Sequence, residues 1–219
     1  MGSEPAATWV GWIGQDEGVA VELPSVGERR VIVNLPEFER EELLPACEVL
    51  CQEGFSTWSV PADRIAEVAG LRAMFGRRAR IGIRSVTDSV QVKKAAEAGA
   101  AFAASDFCLP KLVKAVLGFP VILGGLTPTE LRSGLEAGAA AVQVRPAEAY
   151  GADYARALPG LLGYPPLLVG GQVKRGLAMA WLEAGAVGIW PEQTVSDDLL
   201  VGPSLDGLRA HLHLWRMDE

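Results

Sequence analysis

Leu135-Glu136-Ala137-Gly138-Ala139-Ala140-Ala141-Val142-Gln143-Val144-Arg145-Pro146-Ala147-Glu148 contains the unit from which the fold is read. A helical pattern runs out at Gly138, the residue type that takes the positive φ of a helix C-terminus without steric cost. Apolar and polar residues then alternate from Val142 to Arg145, the period of two that marks a strand. Gln143 and Arg145 therefore share one face, ~7 Å apart along the chain. Pro146 has no N–H to give to a ladder and ends the strand. A glutamine on the inner face of a buried strand must find a hydrogen-bond partner.

The same passage from helix to strand recurs. Ala96-Glu97-Ala98-Gly99-Ala100 and Leu182-Glu183-Ala184-Gly185-Ala186 repeat it, and Cys51-Gln52-Glu53-Gly54-Phe55 is a looser copy. The strands expected after these copies are 56–60, 101–105, 140–145 and 187–190. A second set falls between them, at 30–34, 80–84, 120–124 and 166–170. Helical patterns such as 41–52 and 173–183 separate the strands. Eight strands alternating with about eight helices imply parallel pairing through crossovers. Residues 30–219 are thus expected to form an α/β domain of the (β/α)8 TIM-barrel class. A doubly wound open sheet is the alternative arrangement of the same units. Residues 1–29 form an N-terminal extension. In it, Trp9–Ile13 and Val19–Leu23 flank the turn-like Gly14-Gln15-Asp16-Glu17-Gly18 and predict a β-hairpin.

The chain has 219 residues, 49% of them hydrophobic, and a formal net charge of −7. That is enough apolar material for a large core. The negative charge argues against nucleic acid or an anionic membrane as partner. A small anionic organic ligand remains compatible with it through a local arginine cluster. Cys47, Cys51 and Cys108 are an odd set without metal-like spacing, which suits a reduced, cytoplasmic protein. No secretory signal and no apolar run of ~20 residues is present. No cofactor and no metal is expected. His211 and His213, two apart on a helix, face different ways and cannot chelate one ion.

In a TIM barrel the chemistry lies at the C-terminal ends of the strands. The residues there are Asn34, Ser59, Arg84, Ser105, Gly124, Gly125, Gln143, Arg145, Gly170, Gly171 and Trp190. Several stretches at these ends resemble the 2-keto-3-deoxy-6-phosphogluconate / 4-hydroxy-2-oxoglutarate aldolase family. Pro120-Val121-Ile122-Leu123-Gly124-Gly125-Leu126-Thr127-Pro128-Thr129-Glu130 resembles its fifth strand and the helix after it, and Pro146-Ala147-Glu148 the end of its sixth strand. Ile81-Gly82-Ile83-Arg84-Ser85-Val86 is similar to its third strand end, and Gly170-Gly171 to its phosphate-side loop.

The resemblance implies a homo-oligomer, a trimer, and a lyase working through an imine between a strand-6 lysine and pyruvate, with a strand-2 glutamate moving protons. The positions that match these two residues hold Gln143 and Ser59 here. An amide forms no imine, and an unassisted serine hydroxyl is no base at neutral pH. Of the five lysines, Lys93, Lys94, Lys111 and Lys114 fall in expected outer helices. Only Lys174 lies near the mouth. The chain is therefore expected to be a divergent member with lyase-like chemistry and no imine, with a pseudoenzyme that binds a ligand or serves a structural role as the alternative and an oxoacid aldolase using Lys174 as the third reading.

Gln143 and Ser59, in place of the catalytic pair, either touch the ligand or bond to each other. Arg84 and Arg145 are the expected anchors for a carboxylate or phosphate, with Glu148, Asp88 and Asp106 as alternative internal partners. Asn34, Gly125, Gly170, Gly171 and Trp190 complete the expected ligand-binding set. Backbone N–H groups after Gly170-Gly171 are suited to an anion. Thr127-Pro128-Thr129-Glu130 is a helix start with a capping box. Cys47 and Cys51 are expected to pack in the core, and Cys108, in a mouth loop, has no histidine placed to activate it.

Overall fold

The computed structural model describes residues 21–37, 40–195 and 205–217. Most of the expected N-terminal hairpin lies outside these residues, and Val21–Leu23, which are described, take no strand. The strands are β1 (Ile32–Asn34), β2 (Thr57–Pro61), β3 (Arg80–Arg84), β4 (Ala103–Ser105), β5 (Val121–Gly125), β6 (Ala141–Val144), β7 (Leu167–Gly171) and β8 (Gly188–Pro191). The helices are α1 (Arg40–Gln52), α2 (Glu67–Phe75), α3 (Ser89–Glu97), α4 (Pro128–Glu136), α5 (Ala152–Leu162), α6 (Arg175–Glu183) and α7 (Asp206–His213).

All strand pairs are parallel, and the order in the sheet is the order in the chain. The sheet then returns on itself: Val31 bridges Ile189 in parallel, and the Ile189 N–H donates to the Arg30 carbonyl at 2.8 Å. This is the TIM barrel, and the doubly wound alternative is set aside. The repeat glycines do what their position requires: Gly54, Gly99, Gly138 and Gly185 all have positive φ, from 79° to 107°. One expected helix is missing. Between β4 and β5 a single 3-10 turn, Pro110–Leu112, replaces it. Lys111 lies in that turn and Lys114 just after it, rather than in an α-helix. Only nine residues separate Pro110 from Pro120, among them two β-branched valines and Gly118. So short and poor a segment does not repay helix nucleation.

Alternation along each strand divides the core in two. Val33, Trp58, Ile83, Leu123, Val142, Val144, Val169 and Ile189 face outward and are buried beneath the helices. Ile32, Phe102, Ala104, Ile122, Ala141, Leu168 and Trp190 fill the barrel interior, and Val26 of the N-terminal segment packs among them. Gly82 is required by this filling. A Cβ there would lie 2.2 Å from the Phe102 ring. No helix of the described residues is long and apolar enough to cross a membrane.

The last helix is tied back by one buried acid. Glu53, 9% exposed at the end of α1, accepts from Arg209 Nη1 at 2.8 Å and from Arg216 Nη2, while its carbonyl accepts from Arg29 Nε at 3.0 Å. Burial pushes the Glu53 carboxyl up, but the bonds from Arg216 and Arg209 outweigh it and hold it below the usual glutamate range. A depressed carboxyl stabilises the fold fully above the unfolded value of ~4.3 and loses that contribution as the pH falls through its folded value. We expect Glu53→Gln to cost about 2 kcal/mol at neutral pH, the worth of charge-assisted bonds to one group. The deficit should shrink towards acid in urea-unfolding midpoints measured across that window.

Candidate functional site

The C-terminal ends of the strands enclose a cavity of ≈ 190 Å³, lined by Asn34, Arg84, Ser85, Ala104, Asp106, Gln143, Arg145, Trp190 and Glu192. Five of the residues expected from the sequence therefore meet there: Asn34, Arg84, Gln143, Arg145 and Trp190. Ser59 stands behind the wall, fully buried. Gly125, Gly170 and Gly171 are not among the lining residues.

Each glycine has a different reason for being small. Gly125 faces α4, where a Cβ would lie 2.8 Å from Glu130 Cβ. Gly170 leaves room for the site, since a Cβ there would meet Arg145 Nη1 at 3.2 Å and Gln143 Oε1 at 3.3 Å. Gly171 has φ +121°, and a Cβ would collide with Glu148 Oε2 at 2.3 Å.

Asn34 holds the wall together. Its Oδ1 accepts from Ser59 Oγ at 2.7 Å and from Trp190 Nε1 at 2.8 Å. Its Nδ2 donates to the carbonyls of Pro191 at 3.1 Å and Glu192 at 3.2 Å. The amide is thereby saturated, and β1, β2 and β8 are fixed to one another at the mouth. Trp190 packs edge-on against Phe102, ring centroids 5.7 Å apart, so its indole is part of the barrel filling as well as the cavity wall.

Gln143 and Ser59 do not bond to each other. The Gln143 amide donates to the Ser105 carbonyl at 2.9 Å, and the Ser59 proton goes to Asn34. Gln143 Oε1 receives no hydrogen bond among the described residues and is left for the cavity.

The two arginines differ in their partners. Arg145 is neutralised twice, by Asp106 Oδ1 at 2.9 Å from Nε and by Glu192 Oε1 at 2.9 Å from Nη2. Asp106 Oδ2 in turn accepts from Ser85 Oγ at 2.8 Å. Ser85 reaches it from a left-handed backbone, φ +58°, a conformation uncommon for a side chain with a Cβ. Arg84 donates only to backbone carbonyls, from Nη1 to Ser59 at 2.8 Å and from Nη2 to Leu35 at 3.3 Å. No carboxylate pairs with it among the described residues. Burial lowers its pKa, Glu37 and Asp63 partly offset this, and Arg145 lowers it further. An arginine does not give up its proton for this, so Arg84 remains a cation that no carboxylate contacts among the described residues.

The other expected partners are engaged elsewhere. Asp88 caps α3 by accepting from the Val90 and Gln91 N–H groups, with the reciprocal bond from Gln91. Glu148 Oε2 accepts from the Gln172 N–H at 3.1 Å. The backbone donor after Gly170-Gly171 is thus already filled by an acid of the chain itself. Thr127 and Glu130 form the expected capping box of α4. Cys47 is buried in the core, its thiol pushed up to about 12 by burial and then by Cys51. Burial also raises the Cys108 thiol, which donates to the Glu130 carbonyl at 3.1 Å and does not line the cavity.

All five lysines are exposed, Lys174 among them as the residue before α6, and none lines the cavity. Ser85, Ala104 and Glu192 belong to the site without having been singled out from the sequence. Glu192 had a signal, because it follows Trp190 by two residues and period-two alternation puts both on one face. For Ser85 only the strained φ, visible in the structure, shows its role.

The profile of the KDPG and KHG aldolase family matches residues 25–199. The 2-dehydro-3-deoxy-6-phosphogalactonate aldolase of Escherichia coli (strain K12) is 27% identical over 155 residues, 68% of this chain and 75% of that protein. The structure described as native KDPGal superposes with a TM-score of 0.72 at 24% identity, covering 85% of this chain and 94% of that one. KDPG aldolase from Legionella pneumophila, with pyruvate captured as a covalent carbinolamine, has a TM-score of 0.71 at 22% identity, over 85% and 92% of the two chains. At such identities the structural likeness speaks for the barrel, while the profile spans strands, loops and mouth alike. This chain belongs to the KDPG and KHG aldolase family.

Proposed function

We propose that this family member binds a small organic acid in the mouth cavity with the acid's carboxylate on Arg84, and that it acts on it without a lysine imine. The observation that carries this is that Arg84 contacts no carboxylate among the described residues, at a cavity whose other arginine is paired with Asp106 and Glu192. A half-buried guanidinium that donates only to carbonyls gains most from an anion in bidentate reach.

Gln143 and Asn34 also line the cavity. Glu192 Oε2, without a donor among the described residues, is the carboxylate oxygen available to take a proton. A lyase-type step on this arrangement would place developing negative charge against the guanidinium, which is pre-oriented by Ser59 and Leu35. A second reading, a binding subunit without turnover, draws support from the engagement of Ser59 and Asp106 in fixed bonds that leave neither as a free base. Sustained product formation from short oxoacids separates the two.

Self-association as a trimer and residence in the cytoplasm extend the same proposal by family likeness. Light scattering should give the mass of three chains.

Pyruvate at millimolar concentration should raise the melting temperature of the wild-type protein, and Arg84→Ala should remove at least nine-tenths of that shift with the unliganded melting temperature nearly kept. A shift that survives Arg84→Ala counts against Arg84 as the anchor. Borohydride reduction in the presence of pyruvate should leave Lys174 and the other four lysines without added mass. An increment on any lysine would restore imine chemistry.

A further inference from the structure

We infer that the acid taken by this site is an unphosphorylated monocarboxylate, with no second anionic group and with hydroxyl or amino donors on its far end. The inference rests on the proposed anchoring at Arg84 and adds the charge and size of what is anchored.

Three observations carry it. The first is the local charge balance. Arg84 and Arg145 face Asp106 and Glu192, and both of these acids are held on Arg145 at 2.9 Å. Among the described residues the lining carries two positive and two negative side chains, no net charge, and Glu37 and Asp63 act on Arg84 from nearby, so there is no surplus for a dianion. One ligand carboxylate on Arg84 already makes the filled cavity negative. A second anionic group would have to enter beside carboxylates in a partly desolvated space, where like charges repel strongly.

The second is the backbone donor that would otherwise receive such a group. The Gln172 N–H, at the end of the Gly170-Gly171 turn, is bonded at 3.1 Å by Glu148 Oε2. The fit is close on both sides, since Gly171 has φ +121° and its missing Cβ is the space Glu148 occupies. An anion from outside would have to displace a tethered carboxylate and then sit next to it. The third is room. Trp190 fills the β8 side of the mouth against Phe102 and is fixed by Asn34. The remaining ≈ 190 Å³ is a little more than the ~150 Å³ of a cavity that takes benzene, the scale of a three- to five-carbon acid.

The far end of such an acid meets acceptors. Glu192 Oε2 and Gln143 Oε1 receive no hydrogen bond among the described residues. Unfilled acceptors at a cavity wall select donors, so a hydroxyl or an amino group is matched there and a phosphate oxygen is not.

The test compares matched probes by calorimetry and thermal shift: glycerate against 3-phosphoglycerate, and pyruvate against phosphoenolpyruvate, with inorganic phosphate alone as a control. The unphosphorylated member of each pair should bind at least about tenfold more tightly. Glu148→Gln and Glu192→Gln, each removing one negative charge while keeping a hydrogen-bonding side chain, should narrow that gap at least threefold. Circular dichroism identifies any variant that fails to fold, and the other variant then carries the comparison. Equal or tighter binding of the phosphorylated partners overturns this inference and leaves the Arg84 anchor standing, provided Arg84→Ala abolishes their binding. Binding that persists in Arg84→Ala, or no binding by any probe, overturns the anchor itself and this inference with it.

Discussion

A barrel of parallel strands depends on the seam where its last strand meets its first. No segment of chain runs directly from one strand of that pair to the other, as it does in every other pair. Here the seam is joined at several heights. Near the base, the Arg30 guanidinium donates to the Ala186 and Val187 carbonyls, while its own carbonyl accepts from Ile189. At the top, Asn34 reaches across to the carbonyls of Pro191 and Glu192 and to the Trp190 indole. A carboxamide suits this position because it offers two donors and an acceptor with two lone pairs, and all are used. The site inherits its shape from the seam. Asn34 sets where Trp190 stands and where Glu192 begins, and Glu192 then sets the position of Arg145.

The two arginines of the mouth show how partners, rather than residue type, decide what a cation can do. Arg145 spends its charge on Asp106 and Glu192 and becomes a strut between the β4 and β8 loops. Arg84, one strand from Asn34's partner Ser59, finds carbonyl oxygens and no acid among the described residues. Carbonyls satisfy N–H groups without cancelling charge, so a half-buried cation held this way retains its attraction for an anion. The same logic applies to Glu148. A mouth donor that is open in principle is closed in fact when an acid of the chain has taken it.

Much of the site was legible in the sequence because strand periodicity is rigid. Asn34, Arg84, Gln143, Arg145 and Trp190 sit at strand ends on inward positions, and a period of two counts them into one mouth. The glycines misled for a physical reason: a glycine is required wherever something approaches closely, and the sequence does not say what approaches. For Gly125 it is α4, for Gly171 it is Glu148, and only for Gly170 is it the pair of side chains at the cavity. The helix expected after β4 failed for a similar reason, because a short segment between two prolines has enough apolar residues to look helical and too few residues to become so.

By itself the sequence determined the alternation of eight parallel strands with helices, and the bridge between Val31 and Ile189 in the structure decided that the sheet closes. Repeated passages from helix through a positive-φ glycine into an apolar strand admit few folds, since each rule acts within a dozen residues and the chain obeys it four times over. It also determined that strand 6 carries no lysine and holds Gln143 on its inward face. Only the tertiary structure decided which charges cancel. Asp106, Glu148 and Glu192 are ordinary loop acids in one dimension, separated by more than forty residues. The barrel brings them to one rim, and there the choice of Arg145 over Arg84 is made by distances of a few ångström that no local pattern encodes.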